Sequence, residues 1–148
     1  MSEGLRYNEG KAPLEQIPLT LILQIIPEHF WNEHTSILNV IDELDDIQQT
    51  NITCNNLCRY MTRSDMEDMC RVFAFGATKY EQWNWTKGMD GMKVLGCLLR
   101  HLFLMFEDPD GVDAESGLPH RGHFWCNVCM LDYYNIYHKE LFNKIIIS

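Results

Sequence analysis

Basic residues are few in this sequence: 12 lysines and arginines stand against 21 aspartates and glutamates, which gives a formal net charge of −9. Too little positive charge is available to neutralise a nucleic-acid backbone, so nonspecific nucleic-acid binding is excluded from the expected functions. An acidic protein that handles a small polyanion would instead need a local cationic patch or a bridging metal ion.

Long hydrophobic runs are also absent. The apolar segment 94–106 is too short to span a bilayer and contains Arg100 and His101, so it predicts a core helix and no membrane association. The first residues are polar and unlike a signal peptide, and we expect reduced thiols in the cytoplasm, the host cytoplasm if a phage encodes the chain. Cys126 and Cys129 form a C-x-x-C without a second pair, which predicts buried small side chains rather than a zinc site.

Signals for β-strands are nearly absent, because the closing isoleucines 145–147 are too few to build a sheet. Helical patterns are frequent instead. Residues 17–26 form an apolar segment bounded by prolines, residues 35–49 repeat apolar side chains at i, i+3, i+4 and i+7, and a capping box at 64–67 predicts a further helix start. We therefore predict an all-α fold, a compact helical bundle that forms a single domain over residues 1–148.

The amino-terminal loop carries side chains suited to phosphate. Arg6, Asn8 and Lys11 stand beside Gly10, where the backbone can approach a ligand closely. The arginine would bind a phosphate group through two hydrogen bonds and the lysine as a point charge. The Walker pattern is absent. The alternative is a mobile terminus.

A dense aromatic and polar segment follows the predicted helix that starts near residue 64. Its side chains suit stacking on a base, hydrogen bonding to the base edge and contact with phosphate. The candidates for binding substrate are Lys79, Tyr80, Asn84, Trp85 and Lys87. The alternative is that the tryptophan rings cover the core and the lysines are solvated.

Histidines and carboxylates gather where two predicted helices meet. On the first helix, His101 and Asp108 are two turns apart and share a face, with Glu107 beside them. On the second, His120 opens a series at i, i+3 and i+7 that also shares one face; the other members are His123 and Asn127.

An acidic turn joins the two helices and contains Asp113 and Glu115. If the helices pair antiparallel, their polar faces meet and could hold a divalent cation. The alternative is that His101 and His123 are hydrogen-bonded core histidines and that the turn is a solvated acidic loop.

Four motifs in this order resemble a known family: GLRYNEGKAPLEQIP, FGATKYEQWNWTKG, LLRHLF and EDPDGVDAESGLPHRGHFWCN. They are similar to the phage and bacterial dATP/dGTP diphosphohydrolases, which are grouped loosely with all-α, MazG-like nucleotide pyrophosphohydrolases. The resemblance covers residues 4–27 and 65–134 and marks 28–64 as a probable helical insertion. It implies hydrolysis of a deoxynucleoside triphosphate to the monophosphate and pyrophosphate with Mg²⁺ or Mn²⁺, which would reshape the nucleotide pool.

The resemblance gives a hypothesis for each residue. A metal ion would be held by residues drawn from Glu107, Asp108, Asp113, His120, His123 and Asn127. The candidate catalytic residues are Glu115 as general base, with His101 and His120. Arg6 and Lys11 would neutralise the leaving pyrophosphate, and Asn84 and Trp85 would read the base. The paired E-x-x-E and E-x-x-D motifs of MazG-type enzymes are absent from the matching region, and the histidines also suit a ligand set closer to that of HD-type phosphohydrolases.

Two other functions stay open from the sequence. The same pocket could sequester a host signalling nucleotide without hydrolysing it. The acidic helix within 28–64 could instead mimic the charge of DNA and bind a basic protein. In each case we expect a homo-oligomer, because the carboxy-terminal helix carries more apolar surface than one partner helix would cover; that surface comprises Met130, Leu131, Tyr134, Ile136 and Tyr137.

Overall fold

A computed structural model describes residues 10–51 and 56–147 of the chain. Within these residues the fold is all-α and compact, as predicted, and contains no strand. The helices are α1 (Leu19–Ile25), α2 (Glu28–Glu33), α3 (Thr35–Thr50), α4 (Arg63–Lys79), α5 (Gly91–Glu107), α6 (His120–Tyr137) and α7 (Lys139–Phe142). Short 3-10 turns lie at Leu14–Gln16, Leu57–Tyr60, Asn84–Lys87 and Asn143–Ile145.

Helix α6 is the centre of the fold, because α4 and α5 both pack along it. α5 is mostly apolar, and its buried side chains include Val94, Leu95, Leu98, Leu99 and Leu102. No helix in the described ranges combines the length and apolar character that crossing a membrane requires. The predicted core role of the segment 94–106 is therefore confirmed.

The apolar stripe predicted for residues 35–49 is also confirmed. Its five members are buried in α3: Ile37, Val40, Ile41, Leu44 and Ile47. α3 packs on α1, and the Gln48 side chain accepts a hydrogen bond from the Leu19 N–H at 2.9 Å. On its outer face, Glu43 contacts Arg59 and the Tyr60 hydroxyl. α1 and α2 therefore pack on α3, and the 3-10 turn Leu57–Tyr60 contacts both α3 and α6.

The predicted capping box at 64–67 is wrong by two residues. α4 begins at Arg63, and Thr62 caps it: the Thr62 hydroxyl accepts from the Asp65 N–H at 3.1 Å. The Asp65 carboxylate accepts in turn from the Thr62 N–H at 3.2 Å. Thr62 has the extended backbone that an N-cap residue requires. Asp65 is buried and lies 3.5 Å from an Arg121 guanidinium nitrogen, which ties the start of α4 to α6.

Helices α4 and α6 approach each other most closely at Gly122. A Cβ atom at this position would lie 2.8 Å from the carbonyl oxygen of Asp68 and 3.1 Å from a methyl group of Val72. Because one contact is to backbone, a larger residue would push the helices apart. The absence of a side chain at Gly122 thus sets the distance between two walls of the site described below.

The cysteines of the described residues are free thiols. Cys126 is buried, and Cys129 is partly buried next to Cys58. A hydrogen bond with Cys129, together with burial, raises the pKa of the Cys58 thiol. Asp132 accepts hydrogen bonds from the Leu57 and Cys58 N–H groups, both at 2.9 Å, and holds the 3-10 turn Leu57–Tyr60 on α6.

Candidate functional site

A cavity of about 800 Å³ opens between α4, α5 and α6. One wall comes from α4 and the segment 80–85 that follows it, and α5 contributes Cys97, Arg100 and His101. α6 forms the floor with His123, Cys126, Asn127 and Met130. The acidic turn between α5 and α6 closes one end with Asp113 and Glu115.

A group of potential metal ligands includes two residues that line the cavity, His101 and Asp113, and one that does not, His120. His101, Asp113 and His120 each offer one ligand atom, and the three atoms lie within 4.8 Å of one another. The Nδ1 atoms of His101 and His120 are 3.1 Å apart, and both side chains are buried. Two ligands at 90° around one octahedral ion are separated by about 3 Å when each bond is about 2.1 Å. The spacing of the two imidazoles therefore fits a shared ion.

His123 packs against this group from α6. Its ring stacks on His101 with a centroid distance of 4.5 Å and an interplanar angle of 13°. Its Nε2 lies 2.7 Å from the hydroxyl oxygen of Ser116 and 3.9 Å from a carboxylate oxygen of Asp113. His123 is therefore placed to support the ligand group or to contact a bound molecule in the cavity.

The acidic turn presents Asp113 in a fixed orientation. One carboxylate oxygen accepts hydrogen bonds from the N–H groups of Glu115 at 3.1 Å and Ser116 at 3.0 Å. Gly117 has a φ of 70° and donates its N–H to the Asp113 carbonyl at 2.8 Å, so the chain turns sharply here. Burial alone would raise the pKa of Asp113. The hydrogen bonds from Ser116, together with His123 and His101, outweigh burial and hold that pKa below its usual value.

Asn127 supplies a further polar atom to the same cavity. Its side chain is 1% exposed, and its Nδ2 donates to the His123 carbonyl at 2.8 Å. Because the amino group is used in this way, the other side-chain atom of the amide is the oxygen, and Oδ1 has no hydrogen-bond partner within the described chain. A buried acceptor without a partner costs free energy and suits a ligand, a metal ion or an ordered water molecule. The ligand atoms of His101, Asp113 and His120 fit a divalent cation, and the Asn127 oxygen is a further acceptor in the same cavity.

Glu107 and Asp108 are not brought to this ligand group. α5 ends at Glu107, and Asp108 has φ −149° and ψ 88°, so it no longer follows the helical spacing that would place it above His101. Both side chains are exposed, and neither belongs to a cluster of three potential ligands among the described residues. The structure thus separates these two predicted ligands from Asp113.

Glu115 and Lys79 form an ion pair across the cavity mouth, from the acidic turn to the end of α4. The sequence suggested different roles for them, a general base and a substrate contact. Lys11 also lines the cavity and is exposed. Arg6 and Asn8 lie outside the described residues.

The aromatic wall is formed by Trp85 and Phe73, whose rings stack at 5.0 Å and 29°. Tyr80 and Asn84 line the cavity beside them, and Asn84 is 8% exposed. Lys87 lies off the cavity and pairs with Glu81 at 3.3 Å. Four of the five predicted substrate contacts in this segment therefore face one cavity: Lys79, Tyr80, Asn84 and Trp85.

Ser116 and Arg100 are polar residues of the site to which the sequence analysis assigned no role. Ser116 bonds His123, and the spacing Asp-x-x-Ser in a turn is a signal for such local hydrogen bonding. Arg100 lies beside His101 and lines the cavity, although it stands within an apolar run. A charged residue in an otherwise buried helix was the signal that could have found it.

Fold and site together define an all-α protein with a candidate metal group at one end of an aromatic-walled cavity. The chain belongs to the dATP/dGTP diphosphohydrolase family: the model described as dATP/dGTP diphosphohydrolase, N-terminal, matches residues 48–144. The family suggested by the motifs is confirmed, and its name implies a diphosphohydrolase activity. No curated protein and no solved structure matches the chain.

Proposed function

We propose that this protein hydrolyses a deoxypurine nucleoside triphosphate, dATP or dGTP, to the monophosphate and pyrophosphate in a metal-dependent reaction. The observation that carries the proposal is that His101 and Asp113 line the aromatic-walled cavity and that His120 completes a group of three potential metal ligands with them. Binding a nucleoside triphosphate requires charged groups for the phosphates and an apolar surface for the base, and this cavity offers both. The name of the family supports the reaction class.

We propose Mn²⁺ as the preferred ion, with Mg²⁺ as a weaker substitute. Of these two ions, Mg²⁺ is the less suited to a group that contains two imidazoles, because it is a hard cation that takes oxygen ligands. His101, Asp113 and His120 would hold the ion, and His123 and Asn127 are further candidates. A bound metal ion would neutralise phosphate charge and activate a water molecule.

Glu115 is the proposed general base. Its carboxylate lines the cavity two residues from Asp113 and is held by the Lys79 ammonium. Lys79 would fix the carboxylate at the cavity mouth, where it accepts a proton from the attacking water. Lys11, in the amino-terminal segment, also lines the cavity and would neutralise phosphate charge. We propose the same role for Arg6.

The aromatic wall would bind the base. Trp85 stacks on Phe73, contacts the Tyr133 ring at a centroid distance of 5.1 Å and also lines the cavity. Asn84 is buried beside it and offers both a donor and an acceptor, which is the pattern that an adenine edge requires. Tyr80 lines the same region. This arrangement supports a purine as the base.

The test is to incubate the purified protein with each deoxynucleoside and ribonucleoside triphosphate plus Mn²⁺ or Mg²⁺ and to separate the products. Monophosphate and pyrophosphate from dATP or dGTP are expected. Asp113→Asn and His120→Ala should abolish turnover. His29→Ala is the matched control, because His29 is exposed and lies away from the cavity. Full turnover by both site variants would contradict the proposal.

A second function is favoured by one observation. Glu115 is paired with the Lys79 ammonium, and this pairing competes with contact between the Glu115 carboxylate and an attacking water. A protein that binds a signalling nucleotide without hydrolysing it would have the same aromatic wall and cations. Denaturing a complex of protein and radiolabelled nucleotide separates the two cases, because a sequestering protein releases its ligand intact.

We also propose that the protein is a homo-oligomer acting in the cytoplasm. Three of the five predicted interface residues are buried within one chain: Met130, Leu131 and Tyr134. The other two are exposed at the end of α6, Ile136 at 70% and Tyr137 at 65%, and these support self-association. Light scattering of Ile136→Glu beside the unmodified protein tests it. The free thiols of the described residues suit a reducing compartment.

A further inference from the structure

Arg100 differs from every other arginine that the structure describes. Four of them pair with a carboxylate: Arg59 with Glu43, Arg63 with Glu67, Arg71 with Asp68 and Arg121 with Asp65. Arg100 has no carboxylate within ion-pair distance among residues 10–51 and 56–147. Its Nη1 instead lies 3.5 Å from the sulfur of Cys97, one turn earlier on α5. A thiol is a weak acceptor, so this contact leaves the guanidinium largely unsatisfied.

The surroundings of Arg100 make the lack of a counter-ion significant. The side chain is partly buried and lines the cavity with Cys97, which is 3% exposed. A guanidinium is always charged and carries five donors in a planar fork. Removing it partly from water without an anionic partner costs free energy, which a bound anion would return. The geometry therefore calls for an anion in the cavity.

Phosphate is the anion that best fits this place. Lys79, a second cation of the cavity, is already paired with Glu115, whereas Arg100 follows Cys97 by one turn and immediately precedes His101, a candidate metal ligand. With a divalent cation held by His101, Asp113 and His120, an anion bound between this group and Arg100 would meet positive charge from both sides. A planar guanidinium donates two parallel hydrogen bonds to a phosphate group.

We propose that Arg100 binds the terminal phosphates of the nucleoside triphosphate, the part that leaves as pyrophosphate. This inference rests on the proposed function. The base would occupy the aromatic wall on the side of α4, and Arg100 projects from α5. The phosphates most distant from the base would then reach it. Arg100 stabilises the charge that grows on the leaving group.

The test measures affinity as a function of phosphate number. Kd values are determined in Mn²⁺ for dAMP, for the non-hydrolysable α,β-methylene analogue of dATP and for pyrophosphate. Arg100→Ala should weaken binding of the analogue and of pyrophosphate by about 10- to 100-fold and leave dAMP within about twofold, as loss of a charged hydrogen bond predicts. Arg100→Lys should recover part of the loss, because the charge returns without the fork.

Arg63→Ala is the control, since it removes the same charge from a side chain that is 91% exposed on α4. If Arg100→Ala melts at the assay temperature, Arg100→Gln is measured instead. An unchanged ratio of triphosphate to monophosphate affinity in a folded variant would overturn this inference alone. If the unmodified protein binds no nucleotide, both this inference and the proposed function are overturned.

Discussion

The Nδ1 atoms of His101 and His120 lie 3.1 Å apart, although one residue is in the middle of α5 and the other opens α6. In a hydrogen bond between them, one nitrogen must carry the proton and the other must accept it. A metal ion held by both nitrogens would displace that proton. The contact therefore accounts for the burial of these two Nδ1 atoms, and their spacing fits a shared ion.

The first prediction concerns metal binding. His101→Ala and His120→Ala should each weaken Mn²⁺ binding by more than about tenfold, because each removes one of three ligand atoms. Titration calorimetry with Mn²⁺ alone measures this without substrate. The exposed His29→Ala should bind the ion as the unmodified protein does. Wild-type affinity in both site variants would refute the assignment of the ligand group.

The second prediction concerns the general base. Glu115→Gln should lower kcat by about 10²- to 10⁴-fold, the usual contribution of a general base. The free energy of unfolding should change by less than about 1 kcal/mol, because the pair with Lys79 is largely exposed. Steady-state kinetics and urea denaturation measure the two quantities. A normal kcat would remove Glu115 from the mechanism.

The third prediction tests the aromatic wall. Trp85→Ala should weaken nucleotide binding by about 5- to 150-fold, since stacking on an aromatic ring contributes about 1–3 kcal/mol per base. Trp85→Phe should retain much of the affinity because it keeps the contact with Phe73. Equal losses for dATP and dAMP are expected, because the base is common to both. A loss confined to dATP would place Trp85 at the phosphates instead.

The fourth prediction compares two glycines. Gly122→Ala should destabilise the protein by about 1–3 kcal/mol, since the added methyl group meets the Asp68 carbonyl at 2.8 Å. Gly76→Ala should stabilise it by up to about 1 kcal/mol, because a Cβ at this helical position has open space. Thermal melts of both variants give the signs. A neutral Gly122→Ala would mean that α4 and α6 can separate without cost.

The fifth prediction is a pH dependence of stability. Burial and the neighbouring Arg121 lower the pKa of His34, outweighing Glu33 and Asp65. The Arg121 guanidinium donates to the His34 Nδ1 at 2.7 Å, which requires an unprotonated nitrogen. As the pH falls below 6.5, the unfolded chain takes up a proton that the folded chain binds less readily, so stability is lost.

His34→Gln should reduce this loss, because the amide keeps an acceptor and does not titrate. Urea midpoints at about pH 7.5 and about pH 5.5 are compared between the variant and the unmodified protein. The change in the urea midpoint between the two pH values is compared for the two proteins, and only the difference between these changes is attributed to His34. Equal changes in the two proteins would show that protonation of His34 is not linked to folding.

The helices were predictable because their patterns are local. The stripe of α3 and the apolar run of α5 are read from neighbouring positions, and both bury the expected faces. The N-cap of α4 was misplaced, since Thr62 and Ser64 are both good capping residues. They differ in backbone conformation, extended at Thr62 and helical at Ser64, and the residue types do not reveal this difference.

The site was predictable only in part, because its contacts join distant segments. The helical spacing that linked His101 to Asp108 fails where α5 ends, and the carboxylate that reaches His101 and His120 comes from Asp113 in the turn. The pairing of Lys79 with Glu115 spans 36 positions in sequence and has no local signal. The role proposed for Arg100 depends on its position in the cavity and on its contact with Cys97, which only the structure shows.

The most direct measurement is the position of an oxygen label. The protein is incubated with dATP or dGTP and Mn²⁺ in ¹⁸O-labelled water, and the products are analysed by mass spectrometry. Attack of water on the α-phosphorus predicts the label in the deoxynucleoside monophosphate and unlabelled pyrophosphate. Label in pyrophosphate or orthophosphate, or recovery of intact nucleotide, would contradict the proposed reaction.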